Sequence, residues 1–278
     1  MSNKIIKKEK LAENTSRILI EAPRIAAAAK AGQFVVIVPR ENAERIPLTI
    51  ADFDQKAGTI TIIFQIVGAT TKVLDSLPVG EKIAHLLGPL GTPSHIEKFG
   101  RVVVIGGGVG IAEIYPAVKA LKQAGNEVIT IIGARNKELL IYEKELAAVS
   151  DKLLITTDDG SYKRKGFVSD ELKELIESGV KINLVLAVGP VPMMKVCCAV
   201  TKPFGIKTMV SLNPLMLYAT GMCGICRVTV GGETKLGCVD GPEFDGHQVD
   251  FEELTNRLKM YKDVEKQAFE HVCKLLSV

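Results

Sequence analysis

Between residues 101 and 211, short apolar runs alternate with helical stretches, and this alternation restricts the fold more than any other feature of the chain. Residues 101–105 form a compact Val/Ile run of the kind buried on both faces of a parallel sheet. A glycine-rich turn and a helix over 111–124 follow. Next come strand 127–133, helix 137–149, strand 152–156, helix 169–178, strand 182–188, helix 191–201 and strand 207–211. Such alternation predicts an open parallel sheet with helices on both faces.

The flanks read differently. Strands are expected at 16–20, 34–38, 59–66 and 82–87, all rich in Ile and Val and separated by Gly, Pro and Asn, which suggests a small antiparallel barrel. Residues 213–249 are rich in glycine and cysteine and hold one hairpin, 227–230 with 234–238, turned at Gly231 and Gly232. Residues 250–276 read as amphipathic helix with a solvated, charge-balanced face. The expected fold class is α/β plus all-β. It has an N-terminal antiparallel β-barrel over 1–98, an α/β unit over 99–212, and a small C-terminal lobe with a terminal helix over 213–278. With 278 residues, 47% of them hydrophobic, the chain can fill these cores.

Bulk properties exclude several partners. A net charge of only +3 and the absence of tryptophan argue against a nucleic acid partner. No apolar run approaches the ~18 residues a bilayer span needs. The first ten residues are basic and lack an apolar core, so they do not read as a secretory signal. The cytoplasm is the expected location. There the six cysteines serve as ligands, reactive thiols or buried apolar groups rather than disulfides.

The glycine turn, Gly106, Gly107, Gly108, Val109 and Gly110, sits between an expected strand and an expected helix. Glycines let a backbone approach a pyrophosphate, and the helix start offers free N–H groups. A tight βα turn is the bland alternative. Glu113 in the first helical turn competes with phosphate for the same dipole end. Ligands of open α/β sheets bind beyond the carboxyl ends of strands, which singles out Arg135, Asp158 and Asp159. Arg135 can meet a phosphate or ribose. The aspartates can accept from ribose hydroxyls and repel a 2′-phosphate, favouring NAD over NADP, or they can simply make Asx turns. The break Gly189-Pro190-Val191-Pro192 before a helix can wall a nicotinamide site or be an ordinary turn. In the first unit, Arg45 beside a strand can hold a pyrophosphate, and Thr49, Thr70 and Thr71 can touch a flat ring or be plain β-formers.

Cys223, Cys226 and Cys238 form a metal-ligand pattern: two thiolates at i and i+3 in a glycine-rich loop, and a third from the hairpin. This spacing suits an iron–sulfur cluster. A Cys₃His zinc site with His247 is the rival. Cys197, Cys198 and Cys273 read as buried fillers.

Ten motifs stand in a fixed order: RIPLTI at 45–50, QIVGATTK at 65–72, GPLG at 88–91, GGGVGIA at 106–112, GAR at 133–135, TTDDGS at 156–161, GPVPMM at 189–194, SLNP at 211–214, GMCGIC at 221–226 and CVDGPEFDGHQVDF at 238–251. Together they resemble the ferredoxin–NADP reductase superfamily. Within it they are similar to the small subunits of NADH-dependent ferredoxin:NADP oxidoreductases and the electron-transfer subunits of dihydroorotate dehydrogenases. The resemblance implies a flavoprotein oxidoreductase subunit. It would have an FAD-binding barrel, a Rossmann-like NAD-binding domain and a [2Fe-2S] lobe, and would pass electrons to or from a larger flavin and iron–sulfur partner subunit, with ferredoxin reached through the complex. By position it implies Arg45, Pro47, Leu48 and Thr49 as the flavin-binding strand, and Val67, Gly68, Thr70 and Thr71 as the second flavin contact. The glycines 106–110 would face the nicotinamide nucleotide. The chain departs from the pattern at Glu113, where the wider superfamily has proline. It departs again at Tyr218, five residues before the first loop cysteine, where relatives carry cysteine or aspartate. The fourth cluster ligand then falls to Tyr218, Thr220, Asp240 or a partner. A dihydroorotate dehydrogenase-like or glutamate synthase-like large subunit, or a zinc-stabilised accessory role, are the competing expectations.

Overall fold

The computed structural model describes residues 3–276. Met1 and Ser2 of the basic start, and Ser277 and Val278 at the end of the expected third unit, lie outside the described residues.

The first unit runs β1 (Ile5–Ala12), β2 (Thr15–Glu21), α1 (Pro23–Ala28), β3 (Phe34–Val38), β4 (Ile46–Asp54), β5 (Thr59–Gln65), α2 (Ala69–Ser76) and β6 (His85–Leu90). Its strands form an antiparallel sheet in the order β1-β2-β5-β4-β3-β6. The edge strands share no ladder. They meet through the Lys4–Lys82 bridge, flanked by the Ile5 N–H on Glu81 O and the Ile83 N–H on Asn3 O, each 2.9 Å. The sequence pattern misses β1 because only Ile5 in it is buried, and Lys7, Lys8, Glu9 and Lys10 occupy the middle of this edge.

The second unit runs β7 (Arg101–Gly107), α3 (Gly110–Glu113), α4 (Tyr115–Gln123), β8 (Glu127–Ala134), α5 (Glu143–Val149), β9 (Lys152–Thr157), β10 (Arg164–Lys165), α6 (Val168–Glu177), β11 (Leu184–Val188), α7 (Val191–Thr201) and β12 (Thr208–Ser211). The remainder is β13 (Arg227–Val230), β14 (Glu233–Leu236), β15 (Glu243–Asp245), α8 (Phe251–Arg257) and α9 (Lys262–Leu275). The second sheet has the order β10-β9-β8-β7-β11-β12-β15. It is mixed rather than wholly parallel, because β15 runs antiparallel to β12, pairing Val210 with Phe244. That short strand comes from the region expected to form only the third lobe.

Two expected helices are interrupted. Residues 111–124 split into α3 and α4 because Pro116 sits in the first turn of α4, where its ring excludes a continuous helix from Ala112. Residues 137–149 shrink to a 3₁₀ turn and α5, separated by Tyr142 at φ 59°. The 250–276 helix is likewise two helices. Among the described residues no helix is long and apolar enough to cross a membrane.

The packing ties the units together. Ala31, Ala51 and Ile63 of the first unit belong to the same buried cluster as Val102, Val104, Ile111 and Ile114 of the second. On the far side of the first sheet, Phe34 and Val36 of β3 are buried with Ala219, Cys226 and Cys238. Val35 and Ile37 of the same strand point into the first unit's own core. Alternation along one strand therefore serves two cores.

Because Ile63 is 2% exposed within the shared cluster, Ile63→Ala is expected to cost about 2–5 kcal/mol and to lower the stability of both units in one transition. Urea unfolding followed by far-UV dichroism and tyrosine fluorescence checks this; two separated transitions would contradict the shared core.

Candidate functional site

The glycine turn leaves β7 at its carboxyl end and leads into α3, as its strand-before, helix-after setting predicts. Gly110 must be glycine: a Cβ there would press on the Val188 carbonyl and stand 3.0 Å from Gly189 Cα, both backbone. Gly108 has φ +58° with open space around it, so its role is conformational. Gly107 faces Met193 and Pro190 at the start of α7, and Gly106 packs on Ile111.

A cavity of about 570 Å³ lies at the carboxyl ends of β7, β8 and β9. Gly107, Gly108, Arg135 and Asp158 line it, whereas Gly106 and Gly110 are not on its wall. So do Pro190, Pro192 and Met193 of the proline-rich break. Thr15 and Gln65 close it from the first unit. Gln65 opens the QIVGATTK motif, but local sequence gives no sign of Thr15, because the contact arises from how the sheets pack. Phe167, 59% exposed, also lines it; an exposed aromatic just before an amphipathic helix was the available signal. Thr156 lines it too, and its buried hydroxyl has no hydrogen-bond partner among the described residues. An orphaned hydroxyl beside a glycine cradle fits a ligand rich in hydroxyl and phosphate groups. Asp159 is not on the cavity wall. Its Oδ1 accepts from the Ser161 N–H at 2.8 Å, and bonds from the Ser161 hydroxyl and N–H hold its carboxyl below the usual range. The Asx-turn alternative thus describes Asp159, while Asp158 faces the ligand space.

On the first unit, Pro47, Leu48 and Thr49 lie half-buried on β4, whose register sets Thr49 beside Phe34 and Pro47 beside Val36. Arg45 stands exposed just before the strand with its guanidinium 5.3 Å from the Tyr218 ring centre. Val67 is 71% exposed, and Gly68 is the N-cap of α2. Thr71 does local work: its hydroxyl accepts from the Val67 and Gly68 N–H groups at 3.1 and 3.0 Å and donates to Gly68 O at 2.8 Å. Thr70 is buried beside it. Glu113, at the end of α3, lies beside this strand, and burial pushes its carboxyl up to about 7.

Of the three loop cysteines, the fold brings two together. Cys226 and Cys238 are buried in one apolar cluster, and the Cys238 pKa rises to about 11, chiefly through burial. Cys223 is exposed on the same loop; N–H groups of Ile225 and Tyr218 point at its sulfur and lower its pKa. Among the described residues no three His, Cys, Asp or Glu side chains converge on one metal position. The donor set nonetheless fits an iron–sulfur group, with soft sulfurs in an apolar lobe and backbone N–H groups directed at sulfur. The zinc alternative with His247 fails on placement. Its Nε2 bonds the Thr201 hydroxyl of α7 at 2.9 Å, away from the cysteine loop. Asp240 is occupied by the Leu236 N–H at 2.7 Å, and Thr220 is exposed. Cys197 and Cys198 are buried fillers of α7, with thiols pushed up to about 12 by burial.

Comparison with known proteins agrees with this layout. Residues 213–250 match the iron–sulfur cluster binding domain of dihydroorotate dehydrogenase B, and residues 104–199 match the oxidoreductase NAD-binding domain. A dihydroorotate dehydrogenase B (NAD(+)) electron transfer subunit homolog from Thermotoga maritima is 47% identical over 98% of this chain and 96% of its own length. The dihydroorotate dehydrogenase B electron transfer subunit of Geobacillus thermodenitrificans is 32% identical over 88% and 96%. A solved chain from work on flavin-based electron bifurcation by an NADH-dependent reduced ferredoxin–NADP oxidoreductase superposes with a TM-score of 0.93. That chain is 47% identical, with 98% of each chain covered.

Gly110→Ala is expected to cost about 3 kcal/mol by overpacking and to weaken NADH binding roughly tenfold, whereas Gly108→Ala costs about 1 kcal/mol of left-handed strain. Denaturant unfolding and NADH titration check the contrast; equal effects would show that close packing at Gly110 does not shape the turn. Glu113 sets a pH dependence. With its carboxyl raised to about 7 in the fold and 4.5 without it, its contribution is intact below 4.5 and is lost as pH rises through 7. Glu113→Gln should remove about 3 kcal/mol of that decline, read by urea unfolding on both sides of the window.

Proposed function

The chain belongs to the family of dihydroorotate dehydrogenase B electron-transfer subunits and their ferredoxin–NADP oxidoreductase relatives, and from that premise we propose how its residues divide the work of passing electrons between NAD(H), FAD and a [2Fe-2S] cluster, to or from a larger partner subunit. The observation that carries this reading is the lateral order of one sheet. The cavity borders Thr15 of β2 and Gln65 of β5, the flavin strand is β4, and the buried cysteines pack on β3. In the sequence β2-β5-β4-β3, neighbouring strands stand about 4.8 Å apart, so nucleotide side and cysteine side are separated by about 14 Å across the flavin strand.

When bound, the nicotinamide, flavin and iron–sulfur groups supply hydride and single-electron chemistry; the protein supplies position, field and exclusion of water. In this reading, residues 1–98 hold FAD in a barrel, 99–212 bind the nucleotide, and 213–278 carry the cluster. Gly106, Gly107, Gly108 and Gly110 admit the pyrophosphate to the start of α3, with Arg135 beside it. Asp158 accepts from the adenosine ribose and disfavours a 2′-phosphate. Arg45 holds the flavin pyrophosphate; Pro47, Leu48 and Thr49 lie along the ring; Val67, Gly68 and Thr70 form a second wall, with Thr71 fixing that corner as a cap. Cys223, Cys226 and Cys238 hold the cluster, and Cys223 approaches the buried pair when it is bound. Leu217, Met222 and Val239 leave apolar surface around the loop, with Met222 87% exposed, and this face receives the larger subunit.

Anaerobic purification with metal and flavin analysis tests the whole reading; a colourless protein containing zinc would end it. Cys226→Ser is expected to abolish the iron–sulfur absorption while leaving flavin bound. Loss of flavin with retention of iron would contradict the assignment. Asp158→Ser should lower the preference for NADH over NADPH about tenfold, the scale of one hydrogen bond to a charged group. An unchanged ratio of kcat/KM values would remove Asp158 from nucleotide selection.

A further inference from the structure

The loop that carries the cysteines holds one aromatic residue to which the proposed function gives no task. Plant-type iron–sulfur loops follow the spacing C-x₄-C-x₂-C, which puts the first ligand position of this loop at Tyr218, ahead of Cys223 and Cys226. The fold turns that residue outward. Ala219, next in the chain, has φ 55° and is buried in one cluster with Phe34, Val36, Cys226 and Cys238. Met216 packs against the same cluster, whereas Leu217 and Tyr218 between them are exposed. The space beside the buried cysteines is thus filled from this segment by Ala219 and Met216. A phenol ring is also long and rigid: from the same backbone position its oxygen stands farther out than a cysteine sulfur.

What the ring does meet is Arg45. The guanidinium lies 5.3 Å from the ring centre, inside the ~6 Å over which an aromatic face attracts a cation. Arg45 forms no ion pair among the described residues, and Glu41, four positions earlier, reaches His85 at 3.5 Å instead. An arginine without a partner samples many rotamers, and fixing it on an anion costs that freedom. A ring that already holds the guanidinium lowers the cost, which is preorganisation. The ring face offers no oxygen acceptor, so the N–H fork stays free to grip a phosphate in bidentate fashion.

We propose that Tyr218 is a positioning residue of the flavin site: its ring holds Arg45 ready for the flavin pyrophosphate, and its phenol oxygen takes no part in holding iron. Ala219 anchors this ring to the apolar cluster under the cysteines, so flavin retention is tied to the packing of the cysteine lobe. The inference rests on the reading of Arg45 as the pyrophosphate arginine.

The test measures FAD affinity, iron content and the resonance Raman spectrum of the anaerobically purified full chain and its variants. Tyr218→Phe keeps the ring and should match wild type in all three. Tyr218→Ala should weaken FAD binding about threefold, the scale of an exposed cation–π contact, with iron unchanged. Tyr218→Leu keeps bulk without a π face and should behave as Tyr218→Ala does, so the result does not hang on one variant folding. In an Arg45→Ala background, Tyr218→Ala should weaken FAD binding no further. Additive losses would show that the ring does not act through Arg45 and would overturn the proposal. Loss of iron in Tyr218→Phe, or tyrosinate ring modes that are present in wild type and vanish in that variant, would overturn it by making the phenol a ligand. Wild type without FAD, or an Arg45→Ala variant that binds FAD as tightly as wild type, would instead remove the flavin reading beneath it.

Discussion

Strand β3 is the element on which the arrangement depends. All five of its residues are buried, and they face two different cores. Val35 and Ile37 anchor it in the first unit, while Phe34 and Val36 form the floor under Cys226 and Cys238. Because β3 pairs with β4 through Phe34–Thr49 and Val36–Pro47, a shift in register would flip both faces at once. The spacing between β4 and the cysteine lobe is thereby a property of the sheet ladder, stiffer than any loop contact. The Arg45–Tyr218 stack adds a second tie between the same two regions at the surface.

The other junction is held by apolar packing. Ala31, Ala51 and Ile63 merge with the core beneath the glycine turn, so the cavity wall formed by Thr15 and Gln65 keeps its place relative to β7 and β8. Polar ties lie around this core: Arg17 reaches Glu145 at 3.7 Å and sits 5.9 Å from the Tyr142 ring centre, and Lys119 reaches Asp52. These pairs are partly exposed and contribute modestly. Buried aliphatic area does most of the work of fixing the two sheets, and the ion pairs select one orientation of it.

Periodicity and turn chemistry made most of the second unit legible. Helix α7 lies at 191–201 as expected, and β7, β8 and β9 each extend one or two residues beyond the runs that mark them. Those runs are apolar on both faces, which leaves little ambiguity. The misses have local causes. Lysine-rich β1 hides its strand because the edge needs charge, three-residue β15 is too short for any pattern, and the 111–124 helix yields to Pro116. At the site, the glycine turn, Arg135 and Asp158 were readable from strand-end position. Asp159 and Thr71 were not distinguishable from ligands, because a capping oxygen and a ligand-binding oxygen look alike in sequence. Thr15 could not be read at all, and Gln65 and Thr156 were marked only as members of motifs: their place on the cavity comes from long-range packing and, for Thr156, from a hydroxyl left without a partner.

Burial also separates the two kinds of ligand space. The cavity at the strand ends is edged by Phe167 and Val196, 59% and 47% exposed, with the buried Thr156 hydroxyl deeper on its wall. A ligand that enters and leaves in every cycle needs such a mouth, and apolar rim residues let it shed water on entry. Cys226 and Cys238 are 2% and 4% exposed, beneath Leu90, Met216 and Leu236. Burial there raises the energy of a bare Cys238 thiolate, which is disfavoured unless a cation shares its charge. A site that is electrostatically uncomfortable when empty favours a resident cation, whereas an open cavity lined by backbone and rim polar groups favours exchange. The open cavity and the buried cysteine pair thus lie on opposite sides of β4, and the difference in their exposure follows from which face of each strand the solvent can reach.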